Sequence, residues 1–156
     1  MGIWLLEAVF LTGALLMLFR LIRGAYGDWI AVGAIFFGTL HLARLLDFGN
    51  YTEEFALLFQ SAALVLAVDP GRRSKAGLWF ASGLLMGLAF SLKQSLIGAW
   101  LGIGLTVVFE IGLDEASCIP DRLKRIAKAG SCLLAGFICI NLFWIVYFAT
   151  QGALRD

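Results

Sequence analysis

Apolar residues occur along this chain in six long runs, which short polar or glycine-containing stretches separate. The runs lie near 3–19, 29–46, 52–68, 77–92, 95–113 and 132–149. A helix that crosses a membrane takes about 20 residues, so six such helices use about 120 residues and leave about 36 for loops and ends. The pattern therefore predicts six transmembrane helices and an all-α, polytopic membrane protein.

Composition supports this prediction. Of the 156 residues, 61% are hydrophobic and 15% are charged, whereas a soluble domain is about 45–50% apolar and about 25% charged. This balance excludes an ordinary soluble domain and a disordered chain, and it indicates a single membrane domain over 1–156. The three cysteines, Cys118, Cys132 and Cys139, form no CxxC pair, so no metal site is predicted and no cofactor is assigned.

The basic residues are concentrated in alternate loops. Nine of the 12 lie in the first, third and fifth loops: Arg20, Arg23, Arg72, Arg73, Lys75, Arg122, Lys124, Arg125 and Lys128. Because cytoplasmic loops carry an excess of Lys and Arg, this distribution predicts a multi-pass protein of the inner (plasma) membrane with both termini of the chain outside. A net charge of +1 argues against nucleic acid as a partner.

Two glycine pairs at a spacing of four lie on adjacent runs, Gly83 with Gly87 and Gly98 with Gly102. Small residues at this spacing allow helix backbones to approach closely. We therefore expect the fourth and fifth helices to pack as a tight hairpin. A non-catalytic scaffold, which binds other membrane proteins through these glycine faces, is an alternative function that this pattern leaves open.

The longest predicted loop, 114–131, contains apolar residues at helical spacing, namely Ile119, Leu123 and Ile126, with basic residues between them. This spacing predicts a short helix inside the loop. Two interpretations of that helix stay open. It lies on the anionic inner leaflet, as amphipathic basic helices do, or it is a solvated loop helix.

Three polar side chains within the runs, Glu7, His41 and Asn141, suggest a different function. Polar groups inside a membrane usually face protein or water, so their convergence would predict the water-filled path of a small transporter. The alternative is that each is satisfied separately. Glu7 then reaches the outer interface, and Asn141 bonds to a neighbouring helix.

Acidic residues and a lysine are expected on the outer side. Asn50 precedes the third run, Glu53 and Glu54 follow within its first turn, and Lys93 emerges from the short loop after the fourth run. Acids in a first turn complement the helix dipole, which accounts for their presence there. Their combination with Lys93 also suits an anionic, lipid-linked ligand, because a lysine can meet a phosphate as a point charge.

Three segments resemble the multi-spanning GT-C glycosyltransferases, most closely the bacterial family-39 type that is related to protein O-mannosyltransferases and aminoarabinose transferases. The resemblance is carried by 49–57, by 83–94 with its Gly-Leu-Leu-Met-Gly-Leu-Ala and Leu-Lys-Gln runs, and by the tail 147–156. It implies an enzyme of GT-C-like helical architecture that takes a sugar from a polyprenyl-phosphate carrier in the membrane and transfers it on the outer face.

By this resemblance Glu53 matches a supporting acid, and Lys93, with Glu54 and Asn50, matches the substrate-binding side chains near the carrier phosphate. The family's essential carboxylate lies in its first outer loop, between its first two spans. This chain begins at what resembles the family's second span, so the resemblance assigns no catalytic residue. The corresponding expectation is a core truncated at both ends that does not transfer sugar alone, whose partners are a missing N-terminal segment or other membrane proteins.

Overall fold

The structure is a computed structural model that describes residues 2–45, 51–68, 75–93, 97–113 and 118–152. These residues form six α-helices and no strand, so the predicted all-α class is confirmed. The helices are α1 (Gly2–Tyr26), α2 (Asp28–Leu45), α3 (Tyr51–Val68), α4 (Ala76–Leu92), α5 (Ile97–Gly112) and α6 (Ile119–Thr150).

The start of α6 differs most from the prediction. The short helix expected inside 114–131 is not separate, because α6 runs without a break for 32 residues, from Ile119 to Thr150. Pro120 lies at its first or second position, where a proline's missing N–H costs nothing, and Asp121 lies in its first turn. The apolar run marks only the later part of this helix, so hydropathy placed its start too late.

The helices alternate in direction, as the pairings along the chain show. Phe10 contacts Phe55 and Gly13 lies against Leu58, so α1 and α3 are parallel. Ser82 of α4 donates to the Ala63 carbonyl oxygen of α3 at 3.0 Å. That bond joins the later half of α3 to the earlier half of α4, as two antiparallel neighbours require.

The pairings of α6 complete this arrangement. In α4, Gly83 lies beside Leu133 and Gly87 beside Ile140, so α4 and α6 are parallel. The last residue of α5, Gly112, accepts a 2.9 Å hydrogen bond from Arg122 near the start of α6, so α5 and α6 are antiparallel. Gly27 alone separates α1 from α2, and the two helices pack against each other, so α2 runs back along α1. Helices α1, α3 and α5 thus run one way and α2, α4 and α6 the other. We call the end with Tyr26, Lys75 and Cys118 the basic end, and the end with Glu7, Leu92 and Thr150 the opposite end.

The closest helix contact joins α4 to α6. A Cβ atom added to Gly83 would collide with the Leu133 carbonyl, and one added to Gly136 would collide with the Phe80 carbonyl. The predicted α4–α5 hairpin is therefore wrong, because the glycines of α4 face the glycine of α6. In α5, a Cβ added to Gly98 or Gly102 would meet no atom within 4 Å. Of the two glycine faces predicted for a scaffold, the face on α4 is covered by α6. Among the described residues, only the face on α5 is left for a partner protein.

The surface of the bundle is strongly apolar. Phe37 is 71% exposed and Phe109 is 63% exposed, and many other large apolar side chains are exposed as well. Two helical stretches, Leu5–Tyr26 and Ile119–Thr150, are long and apolar enough to cross a membrane, while the other four apolar helices are shorter. In the most apolar segment of each long helix, only 11% of the residues are buried, whereas the core helix of a soluble protein is mostly buried. Membrane association fits these features, which do not fix the number of spans.

Candidate functional site

Two buried carboxyl groups face one another between α1 and α3. Glu7 is 8% exposed and Glu54 is 3% exposed. The parallel packing of the two helices brings these residues to the same level, next to the edge-to-face contact of Phe10 and Phe55, whose ring centroids are 5.0 Å apart. The expectation that Glu7 reaches the outer interface is therefore wrong, since its side chain points into the bundle.

This acid pair has little hydrogen-bonding compensation. The two carboxyl groups are close enough to repel each other when both are charged. No described residue makes a hydrogen bond of normal geometry to either oxygen of Glu54 or to Oε2 of Glu7. Because a buried, uncompensated charge is costly, the described residues alone leave the pair in need of a shared proton, a cation or a further hydrogen-bond donor. A shared proton is the simplest of these, since one protonated carboxyl group can donate to the other.

A large apolar cleft opens between α3, α4 and α6 near the opposite end. Its volume is about 570 Å³, and its lining includes Phe59, Leu88, Leu92, Trp144 and Phe148. The ring of Trp144 stacks on that of Phe148 with a centroid separation of 6.0 Å. The indole N–H of Trp144 is buried and has no hydrogen-bond acceptor among the described residues. Among the described residues, the cleft therefore offers a mainly apolar lining with two polar residues, Ser91 and Asn141, and with the Trp144 N–H as a donor that has no partner.

Lys93 follows directly on Leu92, which lines this cleft. It ends α4, where its backbone N–H donates to the Ala89 carbonyl oxygen at 3.1 Å. Lys93 is not itself among the lining residues, but it follows the last lining residue of α4 directly along the chain. The sequence indicated the lysine but not the cleft, because the cleft depends on the parallel packing of α4 and α6.

The predicted site residues are only partly brought together. Glu54 and Lys93 lie at the same end of the bundle, but Glu54 faces α1 and is not among the residues that line the cleft. Glu53 lies in the first turn of α3, and its side chain falls outside the part that the structure describes. Asn50 also lies outside the described residues.

The three residues of the predicted transporter path do not converge. Glu7 faces Glu54 between α1 and α3, whereas His41 is exposed on α2. Asn141 lies on α6, where its Nδ2 donates to the Phe137 carbonyl oxygen of the same helix at 2.8 Å. The expected bond from Asn141 to a neighbouring helix is therefore wrong, and the described residues contain no path lined by all three groups.

A second cleft was not anticipated from the sequence. It lies between α1, α3 and α5, has a volume of about 360 Å³, and is lined by Gln60, Ser61 and Gly102 among others. Ser61 is 2% exposed, and its hydroxyl has no hydrogen-bond partner among the described residues. The adjacent polar residues Gln60 and Ser61 in an otherwise apolar run were the signal that could have revealed it.

Comparisons add no further information about this site. In the part of the chain that the structure describes, no group of three or more His, Cys, Asp or Glu side chains could hold a metal ion. No protein-family description, curated protein or solved structure matches the chain. The candidate chemistry therefore depends on the acid pair, the apolar cleft and the adjacent lysine.

Proposed function

We propose that this chain is a six-span protein of the inner membrane whose cleft beside Lys93 binds a polyprenyl-phosphate-linked ligand. In this proposal the basic end faces the cytoplasm and the opposite end faces outward. Two features of the described helices support this placement. Their directions alternate, and nine of the 12 basic residues lie toward the end of α1, between α3 and α4, or near the start of α6, which are all at one end. Such an asymmetry of Lys and Arg is typical of membrane proteins.

The cleft between α3, α4 and α6 is the observation that carries the proposal. An isoprenoid chain is apolar and needs an apolar cavity that opens toward lipid, and the walls formed by Phe59, Leu88 and Trp144 are of this kind. The phosphate of such a ligand needs a cation, which Lys93 supplies as a flexible point charge. The indole N–H of Trp144 provides a further donor for a ligand oxygen.

The resemblance of 49–57 and 83–94 to GT-C glycosyltransferases extends this proposal to a reaction class. In it, the ligand is a sugar donor, and glycosyl transfer on the outer face is the activity to which the binding belongs. Glu53 and Glu54, at the start of α3, lie at the same end as Lys93. Glu53 is the carboxylate proposed to orient sugar hydroxyl groups, because carboxylates accept hydrogen bonds readily, whereas Glu54 is buried against α1.

Replacement of Lys93 tests the proposal. With the full chain purified in uncharged detergent, we expect the Lys93→Gln variant to bind a polyprenyl phosphate about 10- to 100-fold more weakly, since a hydrogen bond to a charged group contributes about 1.5–3 kcal/mol. Tryptophan fluorescence during titration measures the affinity, because Trp144 lines the cleft. Lys93→Arg is expected to retain most of the affinity.

The matched control is Lys75→Gln, which removes one exposed lysine at the basic end. We expect its affinity for polyprenyl phosphate to equal that of the unmodified chain. Equal losses in the Lys93 and Lys75 variants would contradict the proposal, because they would indicate a non-specific charge effect. Equal binding of the uncharged polyprenol would contradict it as well, because Lys93 would then have no phosphate to bind.

A further inference from the structure

The first residues of α6 extend past the start of α4 at the basic end. Gly136 lies against Phe80 and Gly83, so the start of α4 at Ala76 is level with about the tenth residue of α6. At about 1.5 Å per residue, the preceding part of α6 extends about 13 Å beyond α4. This extension is held in place, because Arg122 donates a hydrogen bond to the Gly112 carbonyl oxygen at the end of α5.

Two exposed strips of different character run along this extension. Ile119 is 72% exposed and Leu123 is 62% exposed, one helical turn apart. Lys124 and Lys128 are also exposed and one turn apart. Because successive residues of a helix are separated by about 100°, the centre of the lysine strip lies about 140° around the helix from the centre of the apolar strip.

The side of α6 that faces the bundle is different from both strips. It carries Ala129 and Leu133, which are buried with Val107 of α5 in the hydrophobic core. The extension also contains one acid, Asp121, which lies in the first turn of α6, where it complements the helix dipole. The two strips therefore take no part in the packing of the described helices.

We infer that the lysine strip of α6 binds the phosphate groups of anionic phospholipids in the cytoplasmic leaflet. Charge complementarity supports this partner, since anionic headgroups attract Lys and Arg close to a membrane surface. Lysine side chains near the end of a spanning helix reach the headgroup level through their long, flexible stems. Of the two interpretations of the segment 119–128 drawn from the sequence, the inference favours contact with lipid. The segment is the start of α6 and not a separate helix.

This inference depends on the proposed membrane placement but not on the binding of polyprenyl phosphate. The two sites lie at opposite ends of the bundle and contain different lysines. Failure at Lys93 would therefore leave the lipid experiment unchanged, and failure of the lysine strip would leave the cleft proposal to be judged by its own titration.

The experiment compares two phospholipids on the full chain in uncharged detergent. Phosphatidylglycerol is anionic and phosphatidylcholine has no net charge, and native mass spectrometry measures how many molecules of each remain bound. We expect tighter binding of phosphatidylglycerol, which added salt weakens. Each lysine near an anionic surface contributes about 1 kcal/mol, or about five-fold, so Lys124→Gln with Lys128→Gln is expected to weaken phosphatidylglycerol binding about 25-fold.

Two matched variants distinguish charge from shape. The double variant Lys124→Arg with Lys128→Arg keeps both charges and is expected to retain phosphatidylglycerol binding. Leu123→Ser changes the apolar strip without changing either charge and is expected to leave the preference for phosphatidylglycerol unchanged. Equal affinity for the two lipids, or equal losses in the Gln and Arg double variants, would overturn the inference and would assign the strip to solvent or to an acidic protein.

Discussion

The Gly136→Ala variant is expected to unfold far more easily than the unmodified chain, with a free energy of unfolding lower by about 3 kcal/mol. The added methyl group would overlap the carbonyl oxygen of Phe80 and would lie 2.8 Å from the backbone nitrogen of Leu84. Both atoms belong to the backbone of α4, so no side-chain rotation can relieve the overlap. Helices α4 and α6 would have to separate, which would remove contacts along the most extensive helix pair of the fold.

Gly130→Ala is the control for this effect, since it makes the same change in the same helix. A Cβ atom at Gly130 would meet no atom within 4 Å. Alanine favours helix over glycine, so this variant is expected to be as stable as the unmodified chain or up to about 1 kcal/mol more stable. Unfolding in detergent, followed by circular dichroism, measures both variants. Equal stability of the two would contradict the glycine contact between α4 and α6.

Glu54→Gln is expected to stabilise the fold at neutral pH by about 1–3 kcal/mol. The amide can donate a hydrogen bond to the Glu7 carboxylate without a shared proton, and it removes one carboxyl group from a buried pair. Glu54 is 3% exposed and its oxygens have no normal hydrogen bond among the described residues, so little is lost by the change. The same unfolding measurement detects the gain.

A double-mutant cycle checks that the gain comes from the pair. If the carboxyl groups of Glu7 and Glu54 interact, the effect of Glu7→Gln on the free energy of unfolding depends on whether Glu54 has already been replaced. Asp121→Asn, at an exposed acid of α6, is the matched control; because it removes a charge that complements the helix dipole, it is expected to lower the stability by about 0.3–1 kcal/mol, opposite in sign to Glu54→Gln. Additive effects of the two glutamine substitutions would argue against an interacting acid pair.

The helices themselves could be predicted from the sequence because the long apolar runs are separated by strong breaks. The predicted run 77–92 and the helix Ala76–Leu92 differ by a single residue. The start of α6 could not be predicted in this way. Hydropathy detects the apolar segment, whereas backbone hydrogen bonding continues through charged residues such as Lys124 and Arg125 as long as no proline interrupts it.

The partners of the helices depend on tertiary structure. Gly83 and Gly87 correctly indicated a close helix contact, but the pattern does not say which helix supplies the other side. Gly136 of α6 is the counterpart, and it belongs to no glycine pair of that spacing. The pairing of Glu7 with Glu54 likewise depends on the register of two parallel helices that are far apart in the sequence.

Thiol labelling of intact cells tests the six-span membrane placement most directly. Single cysteines are placed, in a chain without the other native cysteines, at Tyr26, Lys75 and the native Cys118 of the basic end, and at His41, Ser91 and Gln151 of the opposite end. A membrane-impermeant maleimide is expected to label the three positions of the opposite end on intact cells, and the three of the basic end only after permeabilisation. Equal labelling of both groups on intact cells, or labelling of the basic end alone, would contradict the account.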